Sequence, residues 1–514
     1  MSVVTAERTI DPAELVPGAL QAGLFRDRAV SVLGFARSGI ALARFLHDAG
    51  AVVTVYDGRP AADLQAAIDA LGGRPVRLLL GEAVDPGAAL KGAALVTSSP
   101  SINADYPTTE PRLRSALRSI IERRAGGDLT APAILSEVDL FLRLCPAPTI
   151  GITGTKGKTT TSALIHALLA TDAAHPAILG GNIGTPLVER LPDLTPEHRV
   201  VVELSELQLA TLSRGTTVAA YTNVTADHLD RHGTLEAYRA VKRRLAELVD
   251  PAGALVLNHD DPVVGAYGTA TEARVIRYRR GELPPGGLGV AHGWLVGDAL
   301  EPLAVAAAGG AGGFAGGRIL PGDELGIPGA HNISNALAAA AVALLFGIPP
   351  EDIRRAAAAF TGVEHRLERV AELGGVRFVN DSQGTQPDAV IAALRAFDGP
   401  VVLIAGGRDK GVDLSDLATV AAERAHAAVL IGESGPAMER LFRDAGVETT
   451  VRSSDLEAAV AAAYLLASEA AAAAGATGTV LLSPAAASFD MFEDYEARGR
   501  AFKAAVQRLV EERR

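Results

Sequence analysis

A Gly/Thr/Lys-rich segment at residues 151–160 has the residue types that cradle phosphate groups. It reads Gly-Ile-Thr-Gly-Thr-Lys-Gly-Lys-Thr-Thr and stands between a short apolar run and a helical pattern. Small residues leave backbone N–H groups free to face phosphate, Lys158 can reach the β and γ oxygens of a nucleoside triphosphate, and Thr159 can ligate Mg²⁺. The strict Walker A spacing is missed because residue 152 is Ile rather than Gly. The segment predicts an ATP site, and the alternative is an ordinary Gly-rich turn.

A second Gly-rich turn lies near the start of the chain. Gly34, Ala36 and Gly39 follow the apolar run 29–33 and approximate the dinucleotide-binding pattern, with Ala at its second Gly. Such a turn brings the backbone close to a pyrophosphate at a helix N-terminus. Asp57 stands 23 residues after Gly34, where an acid can bind a ribose or a base. On local grounds the turn fits an NAD domain, another phosphate-bearing ligand or a plain strand-to-helix turn.

Lysine is scarce in this chain, which makes each lysine informative. Of the 48 basic residues only six are Lys, namely Lys91, Lys156, Lys158, Lys242, Lys410 and Lys503. A Lys kept where the chain otherwise uses Arg hints at a compact charge or at an amine that can be neutral. The helical pattern 235–248 places Lys242 at the edge of an apolar face with Tyr238 and Leu245. The alternative is a Lys whose stem covers apolar surface while its ammonium group stays in water.

Two further residues are candidates for a metal site beside Thr159. Glu203 lies at the end of an apolar run that is predicted to be a strand, and α/β sheets bind their ligands at such ends. His228 is a less natural neighbour, because Mg²⁺ prefers oxygen ligands. The alternative for His228 is a polar residue at the start of a helix.

Composition limits the classes of protein that remain. The 514 residues suggest about three domains, and 48% apolar residues supply cores for them. A formal charge of −12 argues against a nucleic-acid-binding surface. The single cysteine, Cys145, excludes an internal disulfide and fits a reducing compartment. The uncharged stretch 470–489 is broken by Gly and Pro, so we expect no membrane insertion.

Alternating strand and helix patterns predict an α/β protein with parallel sheets. We expect three domains: a Rossmann-like N-terminal domain at 1–142, a central P-loop ATPase-type domain at 143–363, and a Rossmann-like C-terminal domain at 364–514. No repeat of solenoid period is evident.

Several motifs together resemble the Mur ligases, the amino-acid-adding enzymes of peptidoglycan synthesis. The phosphate loop has the form Gly-x-Thr-Gly-Thr-x-Gly-Lys-Thr of their ATP loop. Further matching segments follow in order along the chain, at residues 203–209, 223–230, 329–335, 365–368, 380–382, 406–411 and 482–488. The segments 380–382, 406–411 and 482–488, in the predicted C-terminal domain, are most similar to family members that add glutamate.

The resemblance implies a role for many residues. The implied ATP contacts are Gly154, Thr155, Lys156, Gly157, Lys158, Thr159, Thr160, Asn335, Arg366 and Asp381. The implied UDP-substrate contacts are Arg37, Ser38, Asp57, Gly58, Arg59, Ser99, Asn182 and Gln208, so the first domain holds UDP rather than NAD. The implied amino-acid contacts are His365, Thr385, Lys410, Ser488 and Tyr495. The implied catalytic residues are Lys158, Glu203, His228 and Lys242, with Thr159, Glu203, His228 and a carbamylated Lys242 around Mg²⁺.

The resemblance also implies a reaction. A cytoplasmic monomer uses ATP and Mg²⁺ to join UDP-N-acetylmuramoyl-L-alanine to D-glutamate through an acyl phosphate. Three departures from the family pattern are Ala36, which replaces a Gly, Ser101, where the family has Gly after Ser-Pro, and Gln383, where it has Lys. The alternatives are another acceptor such as L-glutamate, a folate-type ligase of the same superfamily, and a non-catalytic nucleotide-binding regulator.

Overall fold

The computed structural model describes residues 9–225, 232–307, 312–327, 329–409 and 412–513. The chain forms two compact units, residues 1–360 and 361–514. Their sheets are largely parallel and carry helices, so the predicted α/β class is confirmed.

The first sheet is parallel throughout and has five strands in the order β3-β2-β1-β4-β5. Its strands are β1 (Ala29–Leu33), β2 (Val52–Asp57), β3 (Arg77–Leu80), β4 (Leu95–Ser98) and β5 (Ala133–Ser136). The strand order reverses between β1 and β4. Ligands of open α/β sheets bind at such a reversal, beyond the carboxyl ends of the strands.

The second sheet has nine strands in the order β14-β13-β12-β11-β10-β9-β6-β8-β7. Its parallel strands are β6 (Thr149–Thr153), β7 (Ala177–Gly181), β8 (Arg199–Glu203), β9 (Val218–Tyr221), β10 (Ala254–Asn258), β11 (Arg274–Tyr278) and β12 (Leu288–Ala291). The antiparallel strands β13 (Trp294–Gly297) and β14 (Gly317–Pro321) extend one edge. Register pairs Ile152 with Glu203, which brings the end of β8 beside the end of β6.

The helices of the first unit cover both of its sheets. They are α1 (Arg37–Asp48), α2 (Gln65–Asp69), α3 (Pro86–Leu90), α4 (Pro111–Ala125), α5 (Glu137–Leu144), α6 (Lys158–Leu169), α7 (Glu206–Ala210), α8 (Leu235–Leu248), α9 (Pro262–Ala266), α10 (Ala304–Ala307), α11 (Ala330–Leu345) and α12 (Pro350–Ala359). One apolar cluster continues from Val30 and Val32 in the first sheet to Val200 and Val202 in the second. The two sheets therefore share a core and belong to one compact unit.

The second unit is built on a six-stranded sheet in the order β15-β16-β20-β17-β18-β19. Its strands are β15 (Glu368–Leu373), β16 (Val376–Asn380), β17 (Val401–Gly406), β18 (Ala425–Ile431), β19 (Thr450–Arg452) and β20 (Gly478–Leu482). Only β15 runs antiparallel to its neighbour among these strands. Its helices are α13 (Pro387–Leu394), α14 (Ser415–Arg424), α15 (Gly435–Ala445), α16 (Leu456–Ala474) and α17 (Tyr495–Glu512).

Each of the three predicted domains contains one of the three sheets, but the exact domain boundaries stay predictions. The predicted boundary between residues 142 and 143 falls within α5, and that between 363 and 364 lies three residues after the start of the second unit. Among the described residues, α16 alone is long and apolar enough to cross a membrane. Its Val460, Ala463 and Ala467 are buried in the core of the second unit.

Candidate functional site

The phosphate loop lies between β6 and α6, as the sequence predicts. Gly154 (φ +149°) and Gly157 (φ +85°) have backbone conformations that favour glycine, and a Cβ on Gly154 would clash with the Thr222 hydroxyl. Thr155 N donates to the carbonyl oxygen of Asn223 at 2.7 Å, and Lys156 N donates to its side-chain oxygen at 2.9 Å. The loop is therefore held open toward the N-terminus of α6, where a phosphate is stabilised.

Lys158 begins α6 and is turned back onto the loop. Its Nζ donates to the carbonyl oxygens of Gly154 at 3.0 Å and Thr155 at 2.9 Å. Thr159 is buried, and Thr160 follows it on the first turn of the helix. The Lys ammonium and the Thr hydroxyl thus stand at the same end of the helix, as an ATP site requires.

Asn335 brings the start of α11 against the phosphate loop. Its side-chain oxygen accepts a hydrogen bond from Thr161 Oγ1 at 3.2 Å, and its amide nitrogen donates to Asn332 at 3.0 Å. A Cβ on Gly157 would come within 2.8 Å of that Asn335 oxygen. The close approach explains why the loop has Gly at this position.

A cavity of about 610 Å³ opens beside the phosphate loop. It is lined by the predicted residues Lys156, Gly157 and Asn335 and by His331 of the matching segment 329–335. It is also lined by residues that the motifs did not single out, namely Asn258, Tyr278 and Arg280. Asn258 and Tyr278 end neighbouring strands β10 and β11. Their positions at the ends of predicted strands could have identified them, because parallel strands place their last residues at the carboxyl edge of the sheet, where ligands bind.

Glu203 ends β8 and is 1% exposed. One carboxylate oxygen, Oε1, accepts a hydrogen bond from Asn182 Nδ2 at 2.8 Å. The other, Oε2, is buried and has no hydrogen-bond partner within the described part of the chain. A buried carboxylate oxygen without a donor is costly unless a cation or a proton satisfies it. Glu203 therefore fits a Mg²⁺ ligand.

Lys242 is fully buried, as are Tyr238 and Leu245 of the apolar face at whose edge the sequence places it. Its Nζ donates to Gly154 O at 3.0 Å and to Thr153 Oγ1 at 3.3 Å, and it lies 5.6 Å from the ring centre of Tyr238. Helical periodicity could not show this, because the burial comes from the phosphate loop and not from α8 itself. The snorkelling alternative is excluded, and the amine lies directly beneath the predicted ATP loop.

Two predicted site residues, His228 and Lys410, lie outside the described residues. The prediction that His228 is near Mg²⁺ and the prediction that Lys410 binds the amino acid therefore stay predictions.

The predicted UDP site lies at the carboxyl edge of the first sheet. Asp57 accepts hydrogen bonds from Phe35 N at 2.8 Å and from the Arg59 side chain at 2.8 and 3.0 Å. Burial acts to raise the pKa of Asp57, but these hydrogen bonds outweigh it and hold the pKa below its usual range. Asp57 and Gly58 line a cavity of about 350 Å³ with Gly34. The cavity can take a nucleoside-sized group.

The other predicted UDP contacts belong to the same compact unit, residues 1–360. Arg37 is exposed at the start of α1 and donates to Asn182 O at 3.4 Å, and Ser38 follows it. Ser99 shares a hydrogen bond with Ser101 at 3.1 Å. Gln208 is buried and caps α7, because its side-chain oxygen accepts from Ser205 N at 2.9 Å. The structure thus gives Gln208 a local structural role in addition to the predicted contact.

The second unit brings together the ends of β16 and β20. Ser483 Oγ donates to Asp381 Oδ2 at 2.6 Å, and Leu367 N donates to Asp381 Oδ1 at 3.2 Å. Burial raises the pKa of Asp381 to about 6, although these hydrogen bonds and nearby Arg366 act to lower it. Arg366 itself is exposed. A Cβ on Gly384 would clash with Asp381 and crowd Ser483, so this turn requires glycine.

The predicted amino-acid contacts of this unit differ in accessibility. His365 is 3% exposed, shares a hydrogen bond with Asn380 at 2.9 Å and lies edge-on to the ring of Tyr495, 6.4 Å between centres. Its ring therefore packs in the interior beneath α17. Thr385 is partly buried and Ser488 is buried.

Arg498 is a buried residue that the sequence analysis did not identify. Its guanidinium donates to Ser382 O at 2.9 Å, to Ser382 Oγ at 3.0 Å and to Ala486 O at 3.2 Å. It thereby ties α17 to the two loops that carry the predicted amino-acid contacts. The sequence gives no signal for this role of Arg498, because Ser382 and Ala486, which its guanidinium contacts, belong to loops that are far apart in the chain.

Comparison with known proteins defines the class. The family model described as Mur ligase middle domain matches residues 152–343, and that described as Mur ligase, glutamate ligase domain matches residues 365–486. The chain belongs to the Mur ligase family. A UDP-N-acetylmuramoylalanine–D-glutamate ligase of Roseiflexus sp. (strain RS-1) is 39% identical over 494 residues, which are 92% of this chain and 97% of that protein.

Other relatives agree with this placement. The protein of the same name from Symbiobacterium thermophilum is 38% identical over 95% of this chain and 100% of its own length. The crystal structure of the UDP-N-acetylmuramate-alanine ligase MurC from Thermotoga maritima matches with a TM-score of 0.51, at 17% identity, over 94% of this chain and 99% of that one. That likeness shows a shared fold. The predicted family is confirmed.

Proposed function

We propose that this protein is an ATP-dependent ligase that joins D-glutamate to UDP-N-acetylmuramoyl-L-alanine in peptidoglycan precursor synthesis. The observation that carries the proposal is the cluster at the ends of β6 and β8. This cluster contains the phosphate loop, the buried Lys242 and the buried Glu203, one of whose carboxylate oxygens has no hydrogen-bond donor among the described residues. The relatives that carry this name support the choice of both substrates.

Nucleotide binding rests on the loop 154–157 and on the first turn of α6. Lys158 leaves the Gly154 and Thr155 carbonyls and turns toward the β and γ oxygens of ATP. The N–H groups of the loop and of the helix start hold the phosphates, with Thr160 in the same turn. Asn335 lines the cavity beside them. Arg366 and Asp381 are the further ATP contacts that the family resemblance implies.

Thr159, Glu203, Lys242 and His228 would hold Mg²⁺. When bound, the ion screens the phosphate charges and polarises the γ-phosphate for attack. Lys242 serves this site as a carbamate: its neutral amine forms an N–C bond to CO₂ and loses a proton. The product is an anionic oxygen donor, whereas an ammonium would repel the ion. Burial favours the neutral amine that this step needs.

The sugar-nucleotide substrate is held by the first sheet and by the loop after β7. Gly58, Asp57 and Arg59 take the uridine end, and Arg37, Ser38 and Ser99 lie near the diphosphate. Asn182 and Gln208 hold the part that leads to the L-alanine carboxylate. This carboxylate attacks the γ-phosphorus, ADP leaves, and an acyl phosphate forms.

The acceptor amino acid is bound by the second unit. Thr385, Lys410, Ser488 and Tyr495 bind D-glutamate, while His365, packed in the interior, supports Tyr495. The amine attacks the acyl carbonyl, and the tetrahedral intermediate expels phosphate as the amide forms. Positioning and charge stabilisation supply most of the rate. We further propose that the enzyme works as a cytoplasmic monomer.

Phosphate release tests the proposal. The purified chain is incubated with ATP, Mg²⁺, UDP-N-acetylmuramoyl-L-alanine and one amino acid at a time. Release that requires both the sugar nucleotide and D-glutamate supports the assignment. Release without an amino acid acceptor, or none with any acceptor, contradicts it.

A further inference from the structure

The first turn of α5 holds a carboxylate that the proposed reaction does not use. Glu137 is 3% exposed, and its Oε1 accepts a long hydrogen bond from Val188 N at 3.3 Å, with the backbone N–H of Leu187 also acting on the carboxylate. Glutamate is rarely buried unless it is well paired. A carboxyl group kept in such a position therefore calls for an explanation beyond packing.

A neighbour on the same helix shows what a purely structural buried carboxylate looks like here. Asp139 is fully buried and accepts hydrogen bonds from Ser213 N at 2.7 Å, Ser213 Oγ at 2.5 Å and Arg214 N at 2.9 Å. It also pairs with Arg143 at 3.5 Å. Asp139 thus accepts three hydrogen bonds of 2.9 Å or less and pairs with a cation, whereas Glu137 is held by the backbone N–H groups of Val188 and Leu187.

The partner of Glu137 belongs to a segment that leads to the proposed reaction centre. Val188 lies in the 3-10 helix Leu187–Asp193, which follows the loop 182–186 that begins at Asn182. The Asn182 side chain donates to Glu203 at 2.8 Å, and its carbonyl oxygen accepts from Arg37 at 3.4 Å. Both ends of this short segment are therefore fixed, one by Glu137 and the other by residues that we assign to substrate and metal.

We infer that Glu137 is a positioning residue whose carboxyl group holds segment 182–188 in place and must be uncharged for the sugar nucleotide to bind well. This inference rests on the proposed function, because it takes Arg37 as a contact of the diphosphate. A charged Glu137 competes with the diphosphate for the positive charge of Arg37. A neutral Glu137 still accepts the hydrogen bond from Val188 and adds no negative charge beside the substrate.

The electrostatic surroundings agree with this linkage. Burial raises the pKa of Glu137 to about 7, against the lowering effects of the Val188 N–H, of Arg37 and of the Leu187 N–H. Glu189, on the same side of the loop, acts to raise the pKa further, although its own carboxylate is paired with Arg44 at 3.1 Å. A bound diphosphate adds negative charge and raises the pKa of Glu137 again. Binding therefore takes up protons near pH 7.

The sign of the pH dependence follows. Below the pKa of the free protein, Glu137 is already neutral and the affinity for the sugar nucleotide is highest. As pH rises through that pKa, binding must first protonate Glu137, and the affinity falls by up to about tenfold per pH unit. The diphosphate diester of the substrate does not titrate in this range, so it does not mimic the effect.

Calorimetric titration tests the inference with UDP-N-acetylmuramoyl-L-alanine and the full chain, without ATP. Wild-type protein and Glu137→Gln are titrated at pH 6 and pH 8.5, and at pH 7 in two buffers of different ionisation enthalpy. We expect the wild-type Kd to rise at least fivefold from pH 6 to pH 8.5, with net proton uptake at pH 7. Glu137→Gln keeps an acceptor for Val188 N and cannot ionise, so we expect less than a twofold change in Kd and less proton uptake.

Two further variants separate positioning from structure. Glu137→Ala should weaken binding about tenfold at both pH values and leave the KM for ATP within twofold. Asp139→Asn, the matched buried carboxylate, should lower the thermal stability and keep the wild-type pH dependence of Kd. Equal pH dependence and proton uptake in wild type and Glu137→Gln would overturn the inference. A wild-type protein that does not bind the sugar nucleotide at all would overturn the proposed function instead.

Discussion

Replacement of Lys242 is the perturbation that separates a metal-site lysine from a structural one. Lys242 Nζ is fully buried and donates to Gly154 O at 3.0 Å and Thr153 Oγ1 at 3.3 Å. Lys242→Ala removes both hydrogen bonds and leaves space beneath the phosphate loop. Lys242→Arg keeps a positive charge but cannot be carbamylated, because guanidinium stays protonated.

The structural cost of Lys242→Ala is limited. Gly154 O keeps a donor, since Lys158 Nζ also lies 3.0 Å from it. The loss of the two hydrogen bonds amounts to about 1–3 kcal/mol of unfolding free energy. The catalytic loss is larger, because a positioned electrostatic group is worth about 10²- to 10³-fold in kcat, or roughly 3–4 kcal/mol. The variant should therefore be folded and nearly inactive.

Rescue makes the experiment specific. Phosphate release by Lys242→Ala is measured with and without acetate or formate, whose carboxylate can take the place of the carbamate. We expect at least a tenfold gain for Lys242→Ala, and none for Lys242→Arg or for the control Lys91→Ala, an exposed lysine. A Lys242→Arg enzyme that turns over at the wild-type rate would refute the carbamate, as would a folded Lys242→Ala enzyme with wild-type kcat.

Three other outcomes are expected. Lys158→Ala should reduce kcat at least a hundredfold with a normal thermal transition, because Lys158 is the lysine at the start of α6 that we assign to the β and γ oxygens; phosphate release and calorimetry check this. The pKa of Asp381 is raised to about 6, so its neutral form stabilises the fold below about pH 4 and that stabilisation is lost as pH rises through 6. Asp381→Asn should then raise the unfolding free energy at pH 7.5 by up to about 3 kcal/mol and flatten its pH dependence in denaturant titrations. Gln383 has a buried side-chain oxygen without a donor in the described residues. Gln383→Lys should lower the KM for D-glutamate about fivefold and leave the KM for ATP unchanged, because a charged hydrogen bond is roughly twice as strong as a neutral one. An unchanged KM for D-glutamate would contradict the placement of Gln383 beside the acceptor.

Local sequence patterns predicted the elements that carry the site. Apolar runs that end at Thr153 and Asp57 fold as β6 and β2, and the helical pattern 235–248 folds as α8 with those bounds. These elements follow from residues near one another in the chain. The phosphate loop could be placed for the same reason, because its glycines lie between a strand and a helix.

Features that depend on distant residues could not be predicted in this way. The full burial of Lys242 comes from a loop almost ninety residues away, and the unpaired state of Glu203 Oε2 is a property of the packed sheet. Asn258 and Tyr278 join the nucleotide cavity only because β10 and β11 are neighbours. Glu137 and Asp139 look alike in the sequence, and only their hydrogen bonds distinguish them.

The choice of acceptor amino acid distinguishes the proposed D-glutamate ligase from its alternatives. The measurement is kcat/KM for phosphate release from ATP with UDP-N-acetylmuramoyl-L-alanine and D-glutamate, L-glutamate, D-aspartate or L-alanine. We expect D-glutamate to be the best of the four acceptors by at least tenfold. A higher kcat/KM for L-glutamate, D-aspartate or L-alanine would contradict the proposed specificity, and dependence on none of them would contradict the ligase.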